Sequence, residues 1–333
     1  EVMTVVEVRE RSQVAEARRR ALDAAARAGL GEPGAARLGL IATEAATNLL
    51  KHAGSGEILV APCSASGTAG VDLVAIDRGP GMDNVAQCLS DGFSSTGSAG
   101  SGLGAIRRQA DRFDLFSAPG SGTVLVATVT ARPLPELPPP LWIEGLVVPK
   151  PGETASGDGW YEQRSPGRAT ILVCDGLGHG VRAAAVAQRA GEAFLAFRDD
   201  DLEARMAAVN DGLRATRGAA LALATIDCDA RVVRFTGVGN ISGWLRSDGG
   251  EQRTLSVEGI AGRDGWRAKP MDYPFEGNLL AIFATDGLAT RWDLTHYRGL
   301  AARDPLTIAS VLYRDFRRVR DDCAVVVARC GAP

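Results

Sequence analysis

Residues 171–180 read ILVCDGLGHG, four residues of apolar character that run into the carboxylate of Asp175 and a turn rich in glycine. A short apolar run of this kind reads as a strand buried on both faces, which fixes Asp175 at the rim of a sheet. An alanine-rich helical pattern over about 180–197 follows it. Acidic residues recur in the same kind of place: Asp158 in SGDGW, Asp286 in AIFATDGL, and Asp321-Asp322 before CAVVVAR. One Asp-Gly by itself reads as a turn, so the recurrence carries the argument. Like charges gathered in one cleft raise one another's pKa unless divalent cations neutralise them. Mg²⁺ or Mn²⁺ suits such carboxylates, and a water-bridged pair of these ions supplies a hydroxide to a phosphorus centre.

Outward from this stretch, strand-like runs fall at 142–148, 169–174, 219–227, 231–238, 279–284 and 323–329, with helical patterns at about 180–197, 201–215 and 305–318. Upstream lies RPLPELPPP at 132–140, whose five prolines favour an extended linker. The 333 residues are too many for one ordinary core. Two domains are therefore expected, 1–131 and 141–333, joined by 132–140. Both read as α+β layers with largely antiparallel sheets.

A hydrophobic content of 45% against 23% charged residues marks a folded globular chain, and a net charge of −3 argues against nucleic acid as a partner. No apolar run reaches membrane-spanning length and no secretory signal opens the chain, so no membrane partner and a cytoplasmic location are expected. The chain opens on Glu1 rather than Met, which points to trimmed residues. Cys63, Cys88, Cys174, Cys228, Cys323 and Cys330 form no CxxC pair and read as reduced core residues rather than zinc ligands.

In the first half, helical patterns at about 11–29 and 34–53 precede strands at 57–62, 71–76 and 123–130. On IATEAATNLLKHA (41–53), Leu38, Ile41, Ala45 and Leu49 form an apolar stripe, while Glu44, Asn48 and either Lys51 or His52 recur on another face. Glu44 could polarise a hydroxyl, Asn48 offers oxygen to a hard cation, and Lys51 could meet phosphate. Alone, such a stripe also reads as a solvated helix face. The strand VDLVAI runs into Asp77, Gly79 and Gly81, a carboxylate beside glycines that permit close approach. Gly97, Gly100, Gly102 and Gly104 then lead into a helix at about 103–110, where amides and the positive helix end suit phosphate. GSGTVL at 120–125 closes the set.

In this order and combination the first half resembles the GHKL (Bergerat-type) ATPase fold, an α/β sandwich. Its N box matches Glu44 and Asn48, its G1 box Asp77, Gly79 and Gly81, and its G2 box Gly100, Gly102, Leu103 and Gly104. The short domain and the brief lid between Asp83 and Gly100 are most similar to anti-sigma and stress-switch serine kinases. The resemblance implies ATP as cofactor, with Asp77 on the adenine, Asn48 on magnesium, the glycines around the phosphates, Thr123 near the adenine and Glu44 as general base. The lid Ser94-Ser95-Thr96 departs from basic or glycine-rich lids.

The second half resembles the SpoIIE-like branch of the metal-dependent (PPM-type) protein phosphatases, a four-layer αββα fold, over roughly 141–330. CDGLGHG, FTGVGN, ATDGL and DDCAVVV carry the likeness. It implies that Asp175 bridges two Mg²⁺ or Mn²⁺ ions with the Gly176 carbonyl, that Asp158, Asp286 and either Asp321 or Asp322 complete the ligands, and that His179 shapes the loop. Gly-Trp-Tyr-Glu after Asp158 departs from the family's acidic-aromatic pattern, and no basic phosphate clamp stands out. Together the two resemblances imply a partner-switching enzyme acting on serine or threonine of a STAS-domain antagonist. The alternative is a phosphatase whose first domain only binds ATP and a partner.

Overall fold

Strand ILVCDG alternates its contacts in the computed structural model, which describes residues 1–89 and 102–331. Ile171 and Val173 face one core, while Leu172 and Cys174 face another. A strand covered on both sides needs apolar residues at every position. That requirement explains the uninterrupted run and sets the layering of the unit that contains it. The chain parts into two compact units, Met3–Pro138 and Pro139–Pro333. Among the described residues, no helix is long and apolar enough to cross a membrane.

The first unit runs β1 (Thr4–Val8), α1 (Arg11–Arg27), α2 (Glu32–Asn48), β2 (Gly56–Ala65), β3 (Thr68–Ile76), the one-turn α3 (Val85–Cys88), α4 (Gly102–Gln109), β4 (Arg112–Ser117) and β5 (Thr123–Thr130). Its sheet has the order β1-β2-β3-β5-β4, antiparallel throughout. Ala17, Ala21, Ala24, Leu38, Ile41, Ala45 and Leu49 from α1, α2 and the residue after α2 pack on Ile58, Val60, Val71 and Leu73 of the sheet. Helix α2 passes directly into a π turn over Leu49–Ala53, closed by Gly54 at φ 78°.

The second unit runs β6 (Leu141–Val148), β7 (Asp158–Ser165), β8 (Arg168–Gly176), α5 (Val181–Ala196), α6 (Leu202–Gly212), β9 (Ala219–Asp227), β10 (Val232–Val238), β11 (Ser242–Ser247), β12 (Gly250–Arg253), β13 (Met271–Pro274), β14 (Leu279–Ala284), α7 (Pro305–Phe316) and β15 (Cys323–Cys330). Two antiparallel sheets, β13-β10-β9-β8-β7 and β12-β11-β14-β15-β6, face each other. Between them lie Ile171, Val173, Phe235, Phe283 and Val326, the two phenylalanine rings stacked with centroids 6.1 Å apart. Helices α5 and α6 cover the first sheet through Val186, Phe194, Met206 and Val209, and α7 packs on β15 and β6. The result is the αββα sandwich.

Cys228 and Cys330 are not reduced core thiols. They form a disulfide between the end of β9 and the end of β15, with Cα atoms 6.0 Å apart. Their separation of 102 residues hid this from any spacing rule. Cys63, Cys88, Cys174 and Cys323 form no disulfide, and the last two are buried.

Candidate functional sites

In the second unit, strand register assembles the carboxylates. Asp158, first residue of β7, stands directly opposite Asp175 near the end of β8, and Asp175 in turn pairs with Ala220 of β9. The facing sheet supplies Asp286, two residues beyond β14, and Asp321-Asp322 just before β15. Thr285 ties the sheets together: its hydroxyl donates to Asp158 Oδ2 at 2.5 Å and accepts the Ala324 N–H at 2.9 Å. Asn240 donates to Asp286 Oδ2 at 2.7 Å.

Charge crowding dominates this cleft. Burial, followed by Asp286 and the Asp321-Asp322 pair, pushes Asp175 up to about 7. Burial, then the nearby charge of Asp175, raises Asp158 well above the usual carboxylate range, against the lowering effect of Thr285. Asp286 is raised by burial and Asp321, opposed by Arg318 and Asn240. The donor set is entirely oxygen, which fits hard divalent cations. Among the described residues no three His, Cys, Asp or Glu side chains close on one point. The carboxylates thus form a rim, suited to ions that keep several waters, rather than a dry cage.

Asp322 belongs to the same charge cluster but is tied to backbone amides. It is 2% exposed, and its two oxygens accept the N–H groups of Lys150 and Gly157, each at 2.7 Å. Asp321 is exposed, and one of its oxygens accepts the Asp322 N–H at 3.0 Å. Gly157 also accepts the Gly176 N–H at 2.9 Å. A Cβ on Gly157 would stand 3.1 Å from the Gly176 carbonyl oxygen, so bare glycine keeps that oxygen accessible. His179 Nδ1 lies 3.1 Å from Glu153 Oε1 and makes a loop-to-loop contact.

In the first unit, β3 delivers Asp77 to a turn that its own side chain holds. Asp77 Oδ1 accepts the N–H of Gly79 at 2.8 Å and of Thr123 at 3.1 Å, while Asp77 N–H donates to Thr123 O at 2.9 Å. Gly81 and Gly122 adopt φ of 71° and 72°, and a Cβ on either would strike a backbone carbonyl, of Ala118 and Asp77 respectively. Thr123 is buried, its hydroxyl 2.9 Å from that of Ser117. A Cβ on Gly102, at the start of α4, would meet Asn48 Oδ1 at 3.1 Å and Glu44 Oε2 at 3.4 Å. Glu44 and Asn48 therefore converge on the first amides of α4, an anion-favouring end.

Not every expected residue joins this concavity. The π turn has a wider repeat than an α-helix. It sets Ala53 against Gly79, where a Cβ would come within 2.7 Å, and leaves Lys51 and His52 exposed. Leu103 packs on the hydrophobic core and Gly104 is buried, which leaves only their backbone to face a ligand. Gly97, Gly100 and the lid Ser94-Ser95-Thr96 lie outside the described residues. Thr285, Asn240, Ser117 and Gly122 were not identifiable as site residues by sequence, although all but Ser117 lie within a quoted motif.

With the geometry in place, the relatives can be compared. The model for the histidine kinase-like ATPase domain matches residues 7–129, and that for stage II sporulation protein E (SpoIIE) matches 165–331, half of the chain. Asp158 lies just outside the second match. The serine/threonine-protein kinase RsbT of Bacillus subtilis (strain 168) is 35% identical over 99 residues, covering 30% of this chain and 74% of RsbT. A chain from a structure described as "The bacterial stressosome: a modular system that has been adapted to control secondary messenger signaling" is 28% identical, with a TM-score of 0.52, over 57% of this chain and 99% of that one. RsbX, solved in complex with magnesium, is 21% identical with a TM-score of 0.52, over 59% of this chain and 96% of RsbX, a likeness of fold. The chain belongs to the SpoIIE family of PPM-type protein serine/threonine phosphatases, and carries that domain behind a histidine kinase-like ATPase domain related to RsbT.

Proposed function

We propose that this protein is a two-headed partner-switching enzyme, an Mg²⁺- or Mn²⁺-dependent phosphoserine/phosphothreonine phosphatase whose ATP-binding unit phosphorylates the same class of protein, a STAS-domain antagonist. The observation that carries the reading is the carboxylate rim, where Asp158 and Asp175 face each other across adjacent strands and are both driven toward the protonated state. A group of acids held at such cost in the metal-free protein is explained by a cation that relieves it.

Asp158, Asp175, Asp286, Asp321 and the Gly176 carbonyl would hold the ions. When bound, such ions lower the pKa of water and offset the charge of a phosphoryl group. The chain's own groups prepare that place. Thr285 fixes the Asp158 carboxylate, Asn240 fixes that of Asp286, and Asp322 pins the 150–157 segment beneath the rim through two backbone N–H groups. In the ATPase domain, Asp77 would receive the adenine amino group, and Asn48 would hold the magnesium of MgATP. Glu44, beside Asn48 at the start of α4, would take the proton from the attacking hydroxyl.

The test uses the full chain carrying Asp175→Asn, so that any phosphoryl group transferred persists. Incubated with labelled ATP and a STAS-domain protein, it should accumulate phosphoserine or phosphothreonine, and adding Glu44→Gln should lower transfer by about two orders of magnitude with ATP affinity kept within about threefold. No label in the Asp175→Asn protein would reduce the first unit to an ATP-dependent regulator of the phosphatase.

A further inference from the structure

The acidic cleft has no phosphate-binding side chain in the motifs that define it, yet two arginines flank it. Strand β9 begins beside the loop that follows Asp175, because Leu177 N–H donates to Gly218 O at 3.0 Å. That bond sets Arg217 over the loop: its Nη1 would lie 3.1 Å from a Cβ built on Gly178. Gly178 has φ of 104°, so the turn needs glycine for its backbone and leaves space that the guanidinium overhangs. In the segment that leads into β15 of the facing sheet, Arg318 N–H donates to the O of Gly287, the residue after Asp286, at 2.7 Å. Its charge is close enough to Asp286 to oppose the upward push on that carboxylate. Both arginines are exposed, and among the described residues neither forms an ion pair.

Charge balance gives them a task. Asp158, Asp175, Asp286 and Asp321 together match two divalent cations, while Asp322 is already served by two amides. A phosphomonoester dianion then arrives uncompensated. Guanidinium groups present paired donors that suit phosphate oxygens. On the reading of the rim given above, we infer that Arg217 and Arg318 form a split clamp for the substrate phosphoryl group, one arginine from the segment before β9 and one from the segment before β15.

Two titrations of the full chain test this. Mn²⁺ is titrated into the apo protein, and inorganic phosphate into the Mn²⁺-loaded protein. Arg217→Ala and Arg318→Ala should each keep Mn²⁺ affinity within about twofold and weaken phosphate binding by about five- to twentyfold, in line with loss of a charge-assisted hydrogen bond. KM for p-nitrophenyl phosphate should rise in step, and Arg217→Lys should recover part of the loss. Arg234→Ala, which removes a guanidinium already paired with Asp272, should change none of these values. Normal Mn²⁺ binding with unchanged phosphate affinity in both alanine variants would overturn the clamp while leaving the rim intact. Absence of Mn²⁺ binding by the parent chain, or its persistence in Asp175→Asn, would overturn the rim and the clamp with it. A loss confined to a phosphoprotein substrate, with phosphate affinity unaltered, would make the arginines docking residues and sink the proposal.

Discussion

Asp321 and Asp322 are neighbours with opposite duties: Asp322 is buried with both oxygens on the backbone amides of Lys150 and Gly157, whereas Asp321 stays exposed and receives the Asp322 N–H at 3.0 Å. Sequence alone left the choice of cation ligand open between them. The bonding pattern favours Asp321, because coordination by Asp322 would compete with two backbone N–H donors, that of Gly157 buried and that of Lys150 half-buried.

The two positions should therefore fail differently. Asp322→Ala removes both acceptors and is expected to cost about 2–4 kcal/mol of stability, by analogy with other buried charged hydrogen bonds. Asp321→Asn should leave the urea midpoint nearly unchanged and cut Mn²⁺-dependent hydrolysis by at least about tenfold. Equal midpoint losses in the two variants would contradict the assignment.

Asp175→Asn should stabilise the metal-free protein while abolishing turnover. Its carboxylate is pushed up to about 7 by burial and by Asp286, Asp321 and Asp322, so a neutral isostere removes a charge that the fold opposes. We expect the melting temperature in EDTA at pH 8 to rise by a few degrees, about 1–2 kcal/mol. The stabilising effect of Mn²⁺ should disappear in the same protein.

The same groups set a pH dependence with a definite sign. Asp158, Asp175 and Asp286 have folded pKa values above the unfolded one, so between about pH 4 and pH 7 the folded chain binds more protons than the unfolded chain. Their contribution to metal-free stability therefore falls as pH rises through that window. Differential scanning calorimetry should show a larger Mn²⁺-induced shift at pH 8 than at pH 5.5. A shift independent of pH would mean that the cations do not meet these carboxylates.

Gly102→Ala probes the ATP concavity by crowding Asn48 and Glu44 rather than replacing either. The added methyl would crowd the Asn48 amide at 3.1 Å, which must give by a few tenths of an ångström, and would come into contact with Glu44 at 3.4 Å. MgATP affinity should drop about tenfold with a melting temperature close to that of the parent. Asp77→Asn should weaken ATP more severely, since an amide cannot offer two acceptors.

Reducing Cys228–Cys330, or substituting Cys228→Ser, should cost about 2–5 kcal/mol of stability, the usual range for a bridge that closes a long loop. Turnover at a temperature where the chain stays folded should be unaffected, because the bridge joins the strand ends remote from Asp175. Urea titration with and without reductant measures the first effect, and phosphatase assays the second.

What was legible in the sequence follows from burial. β5, β9 and β14 could be read to the residue because both faces of each are covered, nearly every position is buried and most are apolar. β7, reading DGWYEQRS, escaped notice because it is an edge strand whose side chains are mostly half-buried or exposed, so no periodic signal remains. β1, β4, β12 and β13 are also sheet edges or short. The acids were visible as strand-end residues, but Thr285, Asn240, Arg217 and Arg318 gain meaning only from neighbours on other strands. The face shared by Asn48 with Lys51 or His52 rests on α-helical spacing, whereas Leu49–Ala53 forms a π turn with a different repeat.

The ladder pairing of Asp158 with Asp175 also separates the molecule's chemistry from its tolerance for alteration. The cleft depends on where β7 and β8 are paired, and their connecting turn, Ser165-Pro166-Gly167-Arg168, lies at the other end of both strands. Seven steps of β-strand put it about 23 Å away. That hairpin tip is thus a natural address for a fluorophore or an epitope: a reporter grafted there would travel with the catalytic sheet yet leave the register of its acids untouched.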